Sequence, residues 1–227
     1  MAASAASGAV SVRSTRGPSA TGSQPRERAR SRSRSESPPS GPTSSSKGAV
    51  GAGRDVERES ALSIGLVQGL PEADKMDWII QKAVELGVAW IQPIVCDRSV
   101  VRLSGERAAR RESHWRRVAI AACEQSGRNR IPEVRPTLGF QSWVAVKAEV
   151  PRWVLTPAAP PLASKPAPEG ALELLVGPEG GLSEREQELA LSQGGEAVGL
   201  GPRVLRTETA PIAALAAIHA LWGDFRG

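Results

Sequence analysis

Only two cysteines, Cys96 and Cys123, occur in this chain of 227 residues. They stand alone, without metal-ligand spacing, which points to a reducing compartment and no zinc site. The two histidines, His114 and His219, fall in helical stretches with no partner visible in the sequence. No run reaches the ~18 apolar residues that a membrane-spanning helix needs. Familiar nucleotide signatures are missing as well: GPEGG at residues 177–181 lacks GxGxxG spacing, and no lysine and serine follow its glycines as a P-loop requires.

What is present is unevenly distributed. The hydrophobic fraction of 40% is ordinary for a soluble protein, and the length allows one or two domains. Residues 1–60 carry ten Lys or Arg against five Asp or Glu (10 − 5 = +5), whereas residues 61–227 carry 19 of each sign. The first segment is rich in Ser, Ala, Gly, Pro and Arg and cannot bury enough surface to offset chain entropy, so a disordered tail is expected there. Its block RERARSRSRSES, residues 26–37, could grip phosphates and be neutralised by serine phosphorylation, or could be a solvated tail without a dedicated role. The acid-free first 26 residues, with Arg13, Arg16 and Arg26, leave an organelle transit peptide as the alternative to a cytoplasmic protein.

The remainder is organised around residues 172–222. A short apolar run at 172–176 suits a buried strand, and the GPEGG turn follows at once. Ser183 three residues before Glu186 forms a capping box that starts a helix, which Gly194 and Gly195 end. A second strand at 197–200, a polar loop and a helix at 210–222 complete the pattern, with Pro211 in the first helical turn. Gly177, Gly180, Gly181 and Gly201 lie just after strand ends, where a ligand can touch bare backbone and where open α/β sheets bind ligands. Arg203, Arg206, Thr207, Glu208 and Thr209 crowd the second loop more than a plain connection needs.

Upstream, residues 61–70 read as a strand and Asp74 as the N-cap of a helix that buries Met76, Ile79, Ile80, Ala83 and Val84 and stops at Gly87. Lys75 and Lys82 lie off that stripe, and Trp78 reads as core or rim packing. Residues 90–95 form a strand in which Pro93 implies an edge or a bulge. Residues 106–126 are helical, with Trp115, Val118, Ala119, Ala122 and Cys123 inward. Between Arg98 and Arg135 ten arginines face four acids (10 − 4 = +6), a patch that attracts a polyanion, although a solvated helix face explains part of it. Residues 152–155 form a strand, and 158–170 a Pro- and Ala-rich linker.

GPEGG followed by LGPRVLRTETA, and preceded by DKMDWIIQKAVELGV and ACEQSGRNRIPEV, closely resembles the RsmE family of bacterial methyltransferases that act on uridine N3 of small-subunit ribosomal RNA. The resemblance runs from about residue 62 to 224. It implies an α/β fold of the SPOUT type: a parallel sheet with a C-terminal deep trefoil knot at about 152–222, inside a domain of residues 61–227. It further implies S-adenosylmethionine as cofactor, small-subunit ribosomal RNA as partner, and a homodimer formed through the knot, without metal or membrane. The implied cofactor-binding residues are Leu155, Thr156, Gly177, Pro178, Glu179, Gly180, Gly181, Leu200, Gly201, Val204, Leu205, Arg206 and Thr207. The implied RNA-binding residues are Arg98, Arg102, Gln125, Arg128, Arg130 and Arg203. Uracil N3 must lose a proton to attack the methyl group, which makes Glu208 and Glu179 candidate bases and Arg206 the candidate stabiliser of the anion. Glu179 could instead brace its loop, and Glu208 could cap the last helix. The chain departs from the family at Glu72, where a lysine is usual, at Thr156, where an acid is usual, and before residue 62, where a small PUA-like barrel is expected to be absent. That last departure keeps a second function open: a catalytically idle RNA-binding or interaction protein.

Overall fold

The computed structural model describes residues 56–101 and 105–226. The tail at 1–55 and Arg102 lie outside the described residues, together with the expectations placed on them.

Seven strands form one sheet, and every pairing in it is parallel. In chain order they are β1 (Ser63–Gly69), β2 (Trp90–Val95), β3 (Glu133–Val134), β4 (Leu138–Gly139), β5 (Arg152–Leu155), β6 (Ala171–Val176) and β7 (Gly195–Val198). The spatial order is β3-β2-β1-β6-β5-β7, with β4 also on β2. Five helices connect them: α1 (Lys75–Glu85), α2 (Gly105–Ser126), α3 (Phe140–Val144), α4 (Glu184–Ser192) and α5 (Thr209–Trp222).

Alternate residues of each strand supply opposite faces, the period that a pleated strand imposes. Ile64, Leu66, Leu172, Leu174, Val176 and Trp153 pack in one cluster with the apolar stripes of α1, α2 and α5. Val67, Leu175, Val154 and Ile94 pack in another with Phe140 and Trp143 of α3 and Ala190 of α4. A parallel sheet covered on both faces follows, which explains why its strands read as nearly continuous apolar runs. Gly65 is required in β1, because a Cβ there would stand 2.0 Å from the Trp90 ring, which also carries the Arg135 guanidinium 3.8 Å from its centroid. The Trp222 ring meets Trp153 edge-on at 5.6 Å and fastens the end of α5 to β5.

The expected helix limits and buried stripes of α1 and α2 are present. Two local readings are refined. Pro93, where the sequence implies an edge or a bulge, lies in an interior strand: it pairs with Gln68 on one side, and on the other, where β2's neighbour passes from β3 to β4, residues 135–137 face the two residues 92 and 93 of β2, a bulge-like excess of one. A strand tolerates proline there because no ladder bond is interrupted on that side. Asp74 does precede α1 but its side chain caps no amide, and its carboxylate stands 3.6 Å from Arg111 instead.

The packed domain also begins before residue 61. Glu59 accepts from the amides of Asn129 and Arg130, both at 2.9 Å, and pairs with the Arg128 guanidinium. Burial alone would raise its pKa, but the Arg128 bond and the two amides outweigh burial and hold the carboxyl below its ordinary value. Arg128 in turn donates to the carbonyls of Val84 (3.1 Å) and Val88 (2.8 Å), joining the end of α1 to the end of α2.

His219 is fully buried in α5, its Nδ1 2.8 Å from Asp224 Oδ1. Burial drives the imidazole below its ordinary pKa, and the charge of Arg128 adds to this, against the opposing charge and hydrogen bond of Asp224. The unfolded chain therefore takes up a proton at a pH where the folded chain does not. Stability from this residue is present above the ordinary imidazole value and is lost as pH falls through the lower folded value. Urea midpoints should fall between about pH 8 and about pH 5, and His219→Asn should remove that component of the slope.

Candidate active site

The C-terminal ends of β1, β6, β5 and β7 lie side by side, and the chain leaving three of them encloses a cavity of about 300 Å³. That size is at the lower end for small-molecule sites.

The first wall is the loop after β6. Gly177 can only be glycine, since a Cβ would lie 2.8 Å from the Leu182 amide, and Gly181 turns the chain at φ +69°. The Gly181 amide closes the turn on the Pro178 carbonyl at 2.8 Å. Ser183 and Glu186 then form the expected capping box at the start of α4. Arg98 lies across the outside of this loop, donating to the carbonyls of Gly180 (2.9 Å) and Leu182 (3.3 Å).

The second wall is the loop between β7 and α5, which turns at Gly201 with φ +97°. Leu155, Thr156 and Pro157 after β5 form the third, held by the Thr156 amide on the Val198 carbonyl at 2.9 Å. Beneath them lies Gln68, fully buried at the end of β1. Its Nε2 donates to the carbonyl of Gly69 (2.9 Å), to Thr207 Oγ1 (3.2 Å) and to the carbonyl of Gly177 (3.4 Å). Thr207, itself buried, donates its hydroxyl to the same Gly177 carbonyl at 2.9 Å.

Of the expected cofactor residues, all but Arg206 line the cavity. Arg206 does not line it: its side chain is exposed, and its carbonyl accepts from the amides of Thr209 and Ala210, both at 2.9 Å, at the start of α5. Arg98 and Arg203, expected on RNA, line the cavity rim instead. Gln125 and Arg130 are exposed, as RNA contact requires. Arg128 is not: its side chain is 6% exposed and committed to Glu59 and two carbonyls, so it joins chain segments and presents no charge to a polyanion.

The candidate bases differ in their surroundings. Glu179 lines the cavity, but its Oε1 accepts from Lys75 Nζ (2.7 Å) and from the Glu72 amide (2.9 Å). Burial would raise its pKa, yet the Lys75 bond and charge and the Glu72 amide hold the carboxyl below its ordinary value. Glu208 precedes α5, and its buried Oε2 has no hydrogen-bond partner among the described residues. Sequence reasoning missed Gln68 and Lys75. Gln68 had a signal, a polar side chain inside an apolar strand, which demands partners wherever it is buried.

The lining fits S-adenosylmethionine. Leu155, Val176, Leu200 and Leu205 offer apolar contact to a purine, and the glycines bare backbone to its edge. Glu179 is the one carboxylate lining the cavity among the described residues, a suitable neighbour for a cationic sulfur.

Residues 58–219 match the family model for an RNA methyltransferase domain, which sets the class as an RNA methyltransferase. The chain is 38% identical over 171 residues to the ribosomal RNA small subunit methyltransferase E of Bacillus subtilis, covering 71% of this chain and 67% of that protein. Among solved structures it is similar to the Neisseria gonorrhoeae ribosomal RNA small subunit methyltransferase E bound to S-adenosyl methionine, with TM-score 0.72 and 46% identity over 75% of this chain and 72% of that one. A putative methyltransferase from Legionella pneumophila, in complex with the same cofactor, gives TM-score 0.72 and 40% identity over 74% and 70%. The chain belongs to the RsmE family of RNA methyltransferases.

Thr207→Val removes the hydroxyl that ties the two loops and leaves the Gly177 carbonyl with only the longer Gln68 bond. Calorimetry should show S-adenosylmethionine affinity lowered about tenfold, roughly the worth of one buried hydrogen bond, with Thr207→Ser close to wild type.

Proposed function

We propose that this protein methylates uridine N3 in small-subunit ribosomal RNA, with S-adenosylmethionine held in the cavity at the ends of β5, β6 and β7. The observation that carries the reading is the Gln68–Thr207–Gly177 junction, which fixes two glycine-bearing loops around one cavity before any ligand arrives. Relatives that bear the name of a small-subunit ribosomal RNA methyltransferase supply the substrate class. Homodimerisation through a threaded C-terminal segment and a cytoplasmic location belong to the same proposal.

When bound, S-adenosylmethionine supplies an electrophilic methyl group on a cationic sulfur. The chain's task is to aim that methyl at the ring nitrogen and to remove the nitrogen's proton. Glu208 takes the proton: its Oε2 is unpartnered among the described residues, at the start of α5. Arg206, two residues earlier and exposed, is the cation available to stabilise the negative charge that gathers on a uracil oxygen. Glu179 is braced by Lys75 and the Glu72 amide and holds its loop in place, so it is the weaker candidate for the base. A catalytically idle RNA-binding protein is the less favoured reading, because the lining expected for the cofactor is assembled, Arg206 excepted.

Mass mapping of methylated nucleosides in ribosomal RNA from cells with and without the gene tests the proposal. N3-methyluridine at one small-subunit position should vanish with the gene, and its persistence would overturn the assignment. Glu208→Gln should lower kcat by roughly 10²- to 10⁴-fold with S-adenosylmethionine affinity unchanged.

A further inference from the structure

Of the RNA contacts expected from the sequence only Gln125, near its end, falls in the long helix α2, although that helix carries the densest group of cations in the described chain. Arg107, Arg110, His114 and Arg117 recur at i, i+3, i+7 and i+10 and so share one face of α2. Trp115, Ala119, Ala122 and Cys123 on the other side are buried in the core. Arg107 and Arg117 are exposed and meet no carboxylate within ion-pair distance among the described residues. Arg110 pairs with Glu106 at 2.8 Å, but the side chains are 78% and 87% exposed, a pair that water weakens and a phosphate can displace.

This face is joined to the cavity through the first turn of α1. His114 Nε2 lies 2.6 Å from Asp77 Oδ2, and Arg111 lies 3.6 Å from Asp74. Lys75 in the same turn reaches Glu179 on the cavity wall at 2.7 Å. Three residues along α1 from Lys75, Trp78 is 44% exposed, where the sequence suggests core or rim packing. A row of guanidinium groups on α2 and an exposed indole on α1, whose first turn reaches both α2 and the cavity wall, is a combination that grips single-stranded nucleic acid, cations on phosphates and an aromatic ring under a base.

We propose that the face of α2 formed by Arg107, Arg110 and Arg117, together with Trp78 of α1, is the surface that docks the ribosomal RNA and leads the target strand into the cavity. The three guanidinium groups take successive backbone phosphates, and the Trp78 indole stacks on an unpaired base next to the target nucleotide. This rests on the RNA methyltransferase reading above and adds to it the path of the substrate.

The test uses the full chain, an unmodified small-subunit ribosomal RNA transcript as probe, and calorimetry with S-adenosylmethionine as the control for a folded site. In a variant combining Arg107→Gln, Arg110→Gln and Arg117→Gln, the slope of log affinity against log salt should become shallower by about 2 to 3, from roughly 0.7–0.9 per phosphate contact. Between about 50 and about 200 mM salt the wild type should then lose roughly 20- to 40-fold more affinity than the variant. Trp78→Ala should weaken RNA binding by roughly 5- to 100-fold and leave the slope alone, as loss of stacking without loss of charge does. Wild-type affinity and slope in both variants, with methyl transfer retained, would overturn the docking surface while leaving the function standing. So would unchanged RNA binding accompanied by a shift in sedimentation, which would make this face a protein interface. Wild-type protein that binds S-adenosylmethionine but no ribosomal RNA would overturn the function and the surface together.

Discussion

One buried amide determines how the two loops of the site meet. Gln68 stands at the end of an otherwise apolar strand, and beyond the neighbouring Gly69 carbonyl its Nε2 bonds groups that arrive from 109 and 139 residues further along the chain. Three acceptors converge on that nitrogen, which fixes the orientation of the amide and leaves Oε1 without a partner among the described residues. A polar group buried in a strand is costly until such partners are in place, so closing the two loops and satisfying Gln68 are one event. The glycines at 177, 181 and 201 permit the turns, and the Gln68–Thr207 junction fixes where they stop.

Strand order explains why those loops are neighbours at all. The chain lays down β1 and β2, extends outward to β3 and β4, then returns to place β6 against β1, β5 beyond β6 and β7 beyond β5. All strands run the same way, so the ends of β1, β6, β5 and β7 open on one edge, and the loops leaving them can share a ligand. The first turn of α1, which follows β1 directly, lies on the same edge. It divides its charges between two directions, with Asp74 and Asp77 toward α2 and Lys75 toward Glu179.

The sequence was most legible where a backbone requirement or an apolar period decided the structure. Glycines after short apolar runs located the cavity, and the capping pair Ser183 and Glu186 located the start of α4. It was least legible for charged and polar side chains, because their roles depend on which distant group comes near. Arg128 belongs to a motif that reads as an RNA contact, yet Glu59 and two carbonyls turn it inward. Lys75 reads as an off-stripe surface lysine, yet it braces Glu179. Pro93 reads as an edge or a bulge because the sequence does not show that β2's neighbour changes from β3 to β4 opposite it.

The same distinction separates the arginines between positions 98 and 135, which the sequence presents as one patch. Arg98, Arg128 and Arg135 sit in loops or beside short strands and find carbonyls, a carboxylate or an indole within reach, so they act within the fold. Those in the middle of α2, Arg111 beside Asp74 excepted, have mainly the helix's own surface beside them, and acids there are few: Glu106 pairs with Arg110, while the Glu112 carboxylate accepts the Thr137 amide at 2.7 Å. A cation whose neighbours cannot neutralise it keeps its field in solution. The positive charge that a polyanion meets is therefore narrower than the excess of six counted along the chain. It is concentrated on the one helix face that meets the first turn of α1, beside the cavity wall.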